Sequence, residues 1–387
     1  MIPTFPVFKR LELGDLTEVT VHTRRYDPYS DFNFVSLWSW NTAEDFALSH
    51  LHGNLVVRLN DYVTEAPFYT FLGENAQSET AAALIRRSLA DGMGPSLRLV
   101  PEPVALKLDR AQLAQEMDVD GNDYVLSVAR LRRFDGRDME RRRTEINRFR
   151  RENPHHTVEQ LDLADRAVTS AMETLFERWA LHKGTANVFD LHEYHAFQRF
   201  LSAAAYLPET FAFGVRVRDR LCAFAILELL PRRFAMAHFW KADIEHTGLY
   251  AFMMSQMGEM LAERGRDQLN FQQDLGLSGL RFSKKSYVPA AYLRKYSVVE
   301  RAASARPGLR LSIPAMSDAF LASVDTSVFP GDISLRPPAL SSELIDLARA
   351  EDEPARANVR RSGIGVVGED ADDPVVWNTA GSRSRRE

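Results

Sequence analysis

The spacing of apolar residues changes period along the second half of the chain. Apolar residues recur at helical spacing over residues 163–183 and 191–206. Three apolar runs then follow, FAFGVRV, LCAFAILELL and FAMAHFWKAD, with short polar turns between them. This pattern predicts two helices and then a three-stranded antiparallel meander. Residues 249–264 return to helical spacing and lead directly into a further short strand, LNFQQDL.

The first half of the chain also mixes strands with helices. Residues 54–131 alternate strand-like runs (NLVVRL, PFYTFL, LRLVP and DYVLSVARL) with helical stretches over 81–89 and 104–117. This alternation predicts an α/β domain with mixed sheets. Meander, helix and strand is the order of the GNAT-type acyltransferase core, and the first half shows a blurred version of that order. We therefore predict an α/β (α+β) fold of two tandem GNAT-like domains.

Changes in composition set the predicted boundaries. We assign an N-terminal GNAT-like domain to 1–135, a basic connecting helix to 136–154 and a C-terminal GNAT-like catalytic domain to 155–302. Residues 303–387 are rich in Pro, Ser, Ala, Arg and Asp. Such a composition favours a mostly disordered tail, in which we expect one helix near 341–350.

The overall composition is that of a globular protein. A net charge of −5 argues against a protein that coats nucleic acid along its whole length. The single cysteine, Cys222, lies in an apolar run, so we expect it to be buried, and it excludes an internal disulfide or a metal site built from cysteines. The longest apolar runs, broken by Glu228, are too short to span a membrane. With no secretory signal at the N-terminus, we expect a soluble cytoplasmic protein.

A basic segment stands out from this acidic background. Residues 130–151 hold ten arginines against four carboxylates. The part from 136 to 153 reads as a helix that Ile146 and Phe149 dock onto the rest of the protein. Guanidinium groups pair well with phosphates, so the segment is a candidate phosphate-binding helix. A solvated helix between two domains remains open as an alternative.

The segment 267–296 is the strongest candidate for a functional site. A strand-like run ends there in Asn270, Gln272, Gln273 and Asp274, and the turn after it leads into Arg281, Lys284 and Lys285. Polar groups and cations at a strand end favour the binding of an anion. The chain has 41 arginines but 7 lysines, and Lys241, Lys284 and Lys285 all flank strands of the second domain. An ammonium differs in use from a planar guanidinium, so these lysines are candidates for chemistry.

Several common catalytic motifs are missing from the sequence. It contains no GxSxG elbow, no GxxxxGK[ST] loop, no HExxH and no CxxC. His192, Glu193 and His195 in the HEYH stretch lack further ligands nearby, and we predict no metal. The turn EHTGLYA before the helix at 249 has one glycine, whereas a loop that binds the pyrophosphate of acyl-CoA typically frees several amides with glycine. An acetyl-CoA enzyme is therefore disfavoured.

Over roughly residues 10–300, the chain resembles the phosphatidylglycerol lysyltransferase C-terminal domain family, which is related to the Fem peptidoglycan aminoacyltransferases. Four blocks in the same order carry the resemblance: FNFVSLWSW at 32–40, DYVLSVARL followed by RRRTEINRFRREN, KADIEHTGLYAFM at 241–253, and NFQQDLGLSGLRFSKKSYVP at 270–289. The last block resembles the pattern N-x-x-x-DLG-x-x-GL-x-x-x-K-x-SY-x-P, which fits Asn270, Asp274, Leu275, Gly276, Gly279, Leu280, Lys284, Ser286, Tyr287 and Pro289.

The resemblance implies a transferase that moves an amino acid from aminoacyl-tRNA to a phospholipid, a small molecule or a peptide, with no cofactor and with contact to a membrane surface as one option. The catalytic residues it implies are Lys284, Asp274, Gln272, Arg281 and Tyr287. The tRNA or phosphate contacts it implies are Arg142, Arg143, Asn147, Arg148, Lys241 and Lys285.

The chain departs from the family pattern at two places. Phe271, Gln272 and Gln273 stand where an Arg-Glu-Glu type of sequence is expected, and Thr144 and Glu145 stand where an Asn-His pair is common. The loss of a carboxylate at 272 leaves the donor amino acid and the acceptor open. An acyl-CoA-dependent N-acyltransferase and a non-catalytic module that binds RNA or another anion remain as alternative functions.

Overall fold

The computed structural model describes residues 1–185 and 187–301. The predicted tail and its helix near 341–350 lie outside these residues. The described helices are α1 (Leu16–Thr23), α2 (Phe34–Trp40), α3 (Gln77–Ala90), α4 (Glu102–Ala105), α5 (Val128–Arg133), α6 (Glu140–Glu152), α7 (Arg166–His182), α8 (His192–Ala203), α9 (Leu249–Glu263) and α10 (Ser278–Lys285). The described strands are β1 (Lys9–Arg10), β2 (Ala47–Leu51), β3 (Asn54–Asn60), β4 (Pro67–Leu72), β5 (Ser96–Pro101), β6 (Leu113–Met117), β7 (Asp123–Ser127), β8 (Thr157–Leu161), β9 (Thr210–Val217), β10 (Arg220–Leu229), β11 (Phe234–Ala242), β12 (Gln268–Asn270), β13 (Ala291–Leu293) and β14 (Lys295–Glu300).

A seven-stranded sheet in the order β13-β7-β12-β11-β10-β9-β8 forms the centre of the fold. The antiparallel meander predicted from the three apolar runs is confirmed as β9, β10 and β11. Helix α9 then crosses over the sheet, and β12 joins β11 in parallel. The predicted order of meander, helix and strand is therefore present.

Strands from distant parts of the sequence complete the sheets. Strand β7 pairs with β12 and β13, and β14 pairs with both β5 and β6 to form a three-stranded sheet. The remaining sheet has the order β1-β2-β3-β4. The predicted mixed α/β fold is confirmed by these three sheets and their helices, whereas the division at 135–155 stays a prediction.

Both faces of the central sheet are covered, which explains why its strands are so apolar. Along β10, Phe224 and Ile226 belong to one hydrophobic core together with α7 and α8. Ala223, Ala225 and Leu227 belong to a second core together with α5, α6 and α9. Alternate side chains of one strand thus enter opposite cores.

Among the described residues, no helix combines the length and apolar character required to cross a bilayer.

Two details of the sequence prediction were wrong. The helix expected over 104–117 is a single turn, α4, followed by strand β6, because β6 finds its partner in β14 at the far end of the described chain. The run DYVLSVARL is a strand only as far as Ser127, whose side chain accepts a hydrogen bond from the Arg130 N–H and begins helix α5.

Candidate active site

A cavity opens where β11 and β12 separate. The two strands are paired in parallel only over Phe234–Met236 and Gln268–Asn270. Strand β11 continues to Ala242, whereas β12 ends at Asn270, and the residues after it no longer pair with β11. The gap holds a cavity of about 950 Å³, counting the solvent at its mouth. Its wall is built by Trp40, Tyr62, Glu193, His238, Trp240, Lys241, Tyr250, Met254, Phe271, Gln272, Gln273, Leu275, Leu280, Ser283, Lys284 and Tyr287.

Gln272 bridges the gap between the separated strands. Its side-chain Nε2 donates a hydrogen bond of 2.6 Å to the carbonyl oxygen of Ala237, on β11. Its own backbone N–H is held by the side chain of Asn270 at 2.7 Å, and its φ of 57° is in the left-handed region. A glutamine fits here because an ionised carboxylate is unable to donate to a carbonyl. This contact gives a physical reason for an amide at position 272, where the sequence resemblance led us to expect a carboxylate.

Lys284 projects from α10 into this cavity. The residue is 2% exposed, and its ammonium donates a hydrogen bond to the carbonyl oxygen of Phe271. It also lies 4.7 Å from the ring centroid of Phe271 and 5.5 Å from that of Trp240. Among the described residues, carboxylates act on this ammonium only through space and not by a hydrogen bond. Burial lowers the pKa of Lys284 to about 7, so the side chain changes between its charged and neutral forms near neutral pH.

Tyr287 closes the same wall and is supported from behind by Arg142. The Arg142 guanidinium lies 4.8 Å from the Tyr287 ring centroid. It donates to Glu145 at 2.7 Å and to the Ser286 hydroxyl at 2.5 Å. Because Arg142 is 4% exposed and both of these hydrogen bonds are made within the protein, the structure places it as a support of the cavity wall.

Asp274 and Arg281 pair with each other and do not line the cavity. Arg281 makes two hydrogen bonds of 2.8 Å to the Asp274 carboxylate and a further ion pair with Asp120. The Tyr124 hydroxyl donates to the same carboxylate at 2.5 Å. Burial acts to raise the pKa of Asp274, but hydrogen bonds from Arg281, Tyr124 and the Gly276 N–H outweigh it, so that pKa lies below its ordinary value. The pair fixes the turn that leads into α10.

Lys241 also reaches the cavity, but it is neutralised there. Its ammonium forms a salt bridge of 2.7 Å with Glu193 of α8. It lies 4.1 Å from the ring centroid of Trp179 and 4.7 Å from that of Phe176. Lys241 is 2% exposed, so it is far less accessible to a phosphate than the sequence suggested.

The HEYH stretch does not gather its side chains at one point. His192 Nε2 lies 2.6 Å from the Thr42 hydroxyl, whereas His195 Nε2 lies 2.8 Å from the carbonyl oxygen of Phe189. Glu193 between them points to the cavity. The three residues therefore have separate partners.

The other candidates for phosphate binding lie at or near the surface. Asn147, Arg148 and Lys285 are exposed. Arg148 forms an ion pair of 2.8 Å with Glu152, and Arg143 donates to the backbone carbonyl oxygens of Phe134 and Gly136. Helix α6 packs on α9, and α9 supplies two residues of the cavity wall. The exposed basic residues of α6 are thus one helix away from the cavity.

Sequence reasoning missed two polar residues of the central sheet, His238 and Glu228. They lie side by side, with His238 Nε2 2.9 Å from Glu228 Oε2. The Asn33 side chain donates to the same carboxylate oxygen at 2.6 Å. The only sequence signal was the presence of single polar residues inside apolar strands, LCAFAILELL and FAMAHFWKAD.

Cys222 is buried, as predicted, but it is not isolated. Its Sγ lies 3.4 Å from Nε2 of His246, and together with Asp243 these ligand atoms lie within 4.8 Å of one another. Asp243 is also 3.3 Å from Arg220 and 3.8 Å from Arg178. Two guanidinium groups therefore already neutralise the carboxylate that a metal ion would need.

Comparisons with known proteins agree with this architecture. A conserved protein of unknown function from Bacteroides thetaiotaomicron has 21% sequence identity and a TM-score of 0.66, covering 78% of this chain and 100% of that one. The structure of L-PGS from Bacillus licheniformis has 12% identity and a TM-score of 0.53, covering 76% of this chain and 94% of that one. At these identities the likeness is one of fold. No curated protein sequence matches the chain.

The family is shown by the sequence as a whole. The family model described as "Phosphatidylglycerol lysyltransferase, C-terminal" matches residues 23–299, more than half of the chain. The resemblance carried by the four sequence blocks is thereby confirmed. The chain belongs to the phosphatidylglycerol lysyltransferase C-terminal family.

Proposed function

We propose that this protein transfers an aminoacyl group from aminoacyl-tRNA to a hydroxyl of a lipid acceptor, and that the reaction takes place in the cavity between β11 and β12. The observation that carries the proposal is the buried ammonium of Lys284, which has no carboxylate hydrogen-bonded to it among the described residues. A charge held in this way is suited to a negative group on a ligand. The family model supports transfer of an amino acid to a lipid as the type of reaction.

An aminoacyl ester is already activated, so the protein has mainly to align the acceptor with the ester carbonyl and to stabilise the oxyanion. In this proposal, Lys284 stabilises the oxyanion or an acceptor phosphate. An anion beside its ammonium favours the charged form, which compensates for a pKa of about 7. Trp240, Phe271 and Tyr287 line the cavity, and in this proposal their aromatic rings keep water from hydrolysing the ester.

Three residues keep the cavity in shape. Gln272 bridges the separated strands, and Asp274 with Arg281 fixes the turn before α10. We therefore assign Asp274 and Arg281 to the positioning of α10, in place of the direct roles that the sequence suggested. Neither residue forms part of the cavity wall.

The exposed part of α6 is the proposed tRNA contact. Arg148, Arg150 and Arg151 are exposed, as is Asn147 on the same helix. Phosphate contacts from such residues make binding depend strongly on salt concentration. Because α6 packs on α9, which supplies two residues of the cavity wall, we assign this contact to the acceptor stem of the tRNA.

The start of α9 argues against acyl-CoA as the donor. A Cβ placed on Gly248, the residue before α9, would lie 2.1 Å from the backbone carbonyl oxygen of Glu145. The N–H of Leu249 already donates to the carbonyl oxygen of His246 at 3.1 Å. Helix α6 thus packs closely against the start of α9, which is where a pyrophosphate would bind in an acyl-CoA enzyme.

The test is to incubate the protein with a pool of labelled aminoacyl-tRNAs and phosphatidylglycerol vesicles, with and without ribonuclease, and to extract the lipid. We expect label in the lipid fraction, and we expect ribonuclease to abolish it. A parallel incubation supplies labelled acyl-CoA in place of aminoacyl-tRNA, and transfer from it that survives ribonuclease would support an N-acyltransferase instead. Binding of tRNA without any transfer would support a non-catalytic module.

A further inference from the structure

A chain of three polar side chains runs from helix α2 to the cavity. Asn33 is the N-cap residue of α2, and its Oδ1 accepts a hydrogen bond of 2.9 Å from the Ser36 N–H. Its Nδ2 donates to Glu228 Oε2 at 2.6 Å, and that oxygen lies 2.9 Å from His238 Nε2. His238 forms part of the cavity wall. The helix cap therefore fixes the direction of the whole chain of hydrogen bonds.

The backbone places His238 by an irregularity in β11. Ile226 of β10 is opposite Phe239, but Leu227 is opposite Ala237, so His238 is the extra residue of a β-bulge. Bulges are common beside active sites because they redirect a side chain. Glu228 lies on the adjacent strand β10 and is 8% exposed, and His238 itself is 4% exposed.

These contacts determine which nitrogen of His238 carries the proton. A carboxylate oxygen accepts hydrogen bonds but does not donate them, and Glu228 Oε2 accepts from Asn33, so the hydrogen in its contact with Nε2 is on the imidazole. Nδ1 then presents a lone pair. Among the described residues Nδ1 has no hydrogen-bond partner, although the side chain is on the cavity wall.

We propose that His238 is the general base of the transfer reaction and that Glu228 and Asn33 are positioning residues that hold its imidazole. This inference rests on the proposed function. Nδ1 takes the proton from the acceptor hydroxyl while the acceptor oxygen bonds to the ester carbonyl carbon. The bond to the ribose oxygen then breaks, and His238 returns the proton to that oxygen. No other reactant is needed, and Glu228 stabilises the imidazolium between the two steps.

The arrangement divides the chemistry between two cavity residues. Lys284 supplies positive charge for the oxyanion, and His238 moves the proton. The other titratable side chains of the described wall are Tyr62, Glu193, Lys241, Tyr250 and Tyr287, and Glu193 is paired with Lys241. A protonated His238 has no lone pair at Nδ1, so the rate falls on the acid side. Loss of the Lys284 charge lowers the rate on the alkaline side.

The experiment measures single-turnover transfer to phosphatidylglycerol vesicles against pH for wild type, His238→Gln, Glu228→Gln and His195→Gln. His238→Gln should lower the rate by about 10²- to 10⁴-fold and remove the acid limb of the profile. Glu228→Gln keeps an acceptor oxygen for both hydrogen bonds but removes the charge, so its acid limb should move to lower pH. His195 is exposed and away from the cavity wall, so His195→Gln should match wild type.

The variants separate a failure of the general base from a failure of the proposed function. A folded His238→Gln protein within about threefold of the wild-type rate and with the same acid limb would overturn the general base and leave the proposed function standing. If His238→Gln shows no cooperative unfolding transition, Glu228→Gln decides, and an unmoved acid limb overturns the proposal. A wild-type protein that transfers no aminoacyl group overturns both proposals.

Discussion

Replacing Lys284 with methionine should make the protein more stable at pH 6. The pKa of this lysine falls from 10.5 to about 7 on folding because the ammonium is buried. At 1.36 kcal/mol per pKa unit, the folded state carries a cost of about 5 kcal/mol whenever the ammonium is charged. Methionine removes that cost, but it leaves the Phe271 carbonyl oxygen without this donor, which costs about 1–3 kcal/mol. The net gain at pH 6 should be about 2–4 kcal/mol.

The gain should depend on pH in a defined direction. Because the folded pKa is below the unfolded one, the unfolded chain holds the extra proton between about pH 7 and pH 10.5. Wild-type stability should therefore rise through this window relative to Lys284→Met, by about 1.4 kcal/mol per pH unit. At pH 9 the advantage of the variant should be close to zero.

Urea unfolding at pH 6 and pH 9 measures both effects. Lys285→Met is the matched control, since it removes the same charge from the next residue, which is exposed, and should change stability by less than about 0.5 kcal/mol. A Lys284→Met protein that is less stable than wild type at pH 6, or whose stability difference is the same at both pH values, would refute this reasoning.

Three further substitutions test the packing around the site by urea unfolding. Lys295→Met leaves two buried carboxylates without their cation and should lower the unfolding free energy by about 3–5 kcal/mol, while Lys107→Met at an exposed position should not. Gly248→Ala should cost more than about 2 kcal/mol, and clearly more than Gly92→Ala, because both glycines have positive φ but only the first contacts the α6 backbone. Gln272→Glu should cost about 1–3 kcal/mol at neutral pH, and the loss should shrink in acid as the new carboxyl becomes a donor. Equal stability within each matched pair, or a loss for Gln272→Glu that grows in acid, would contradict these expectations.

Local sequence patterns were sufficient for the elements whose partners are close in sequence. The meander, α9 and the arginine-rich helix α6 were all predicted from spacing and turn residues. The region 104–117 was not, because β6 is stabilised by a strand about 180 residues away, and no local pattern reports such a partner. Helix α5 was missed because the apolar residues of this short segment suit a strand as well as a helix.

The candidate site was predicted in part. Lys284, Gln272 and Tyr287 were chosen from one sequence block, and they lie on one cavity wall. The sequence did not show that Lys284 lines the cavity whereas Asp274 does not. Asp274 is held away from the cavity by its bidentate pair with Arg281, and only the three-dimensional structure reveals that pair. His238 was missed because a bulge changes which face of a strand a residue occupies, and a simple alternation of residues does not reveal it.

The most direct test of the central claim is the single-turnover rate of aminoacyl transfer by wild type, Lys284→Met and Lys107→Met, with stability measured on the same preparations. If Lys284 supplies the charge for the oxyanion, Lys284→Met should be folded and at least as stable as wild type at pH 6, yet slower by about 100-fold or more. Lys107→Met should transfer at the wild-type rate. A folded Lys284→Met protein that transfers aminoacyl groups at the wild-type rate would contradict the claim.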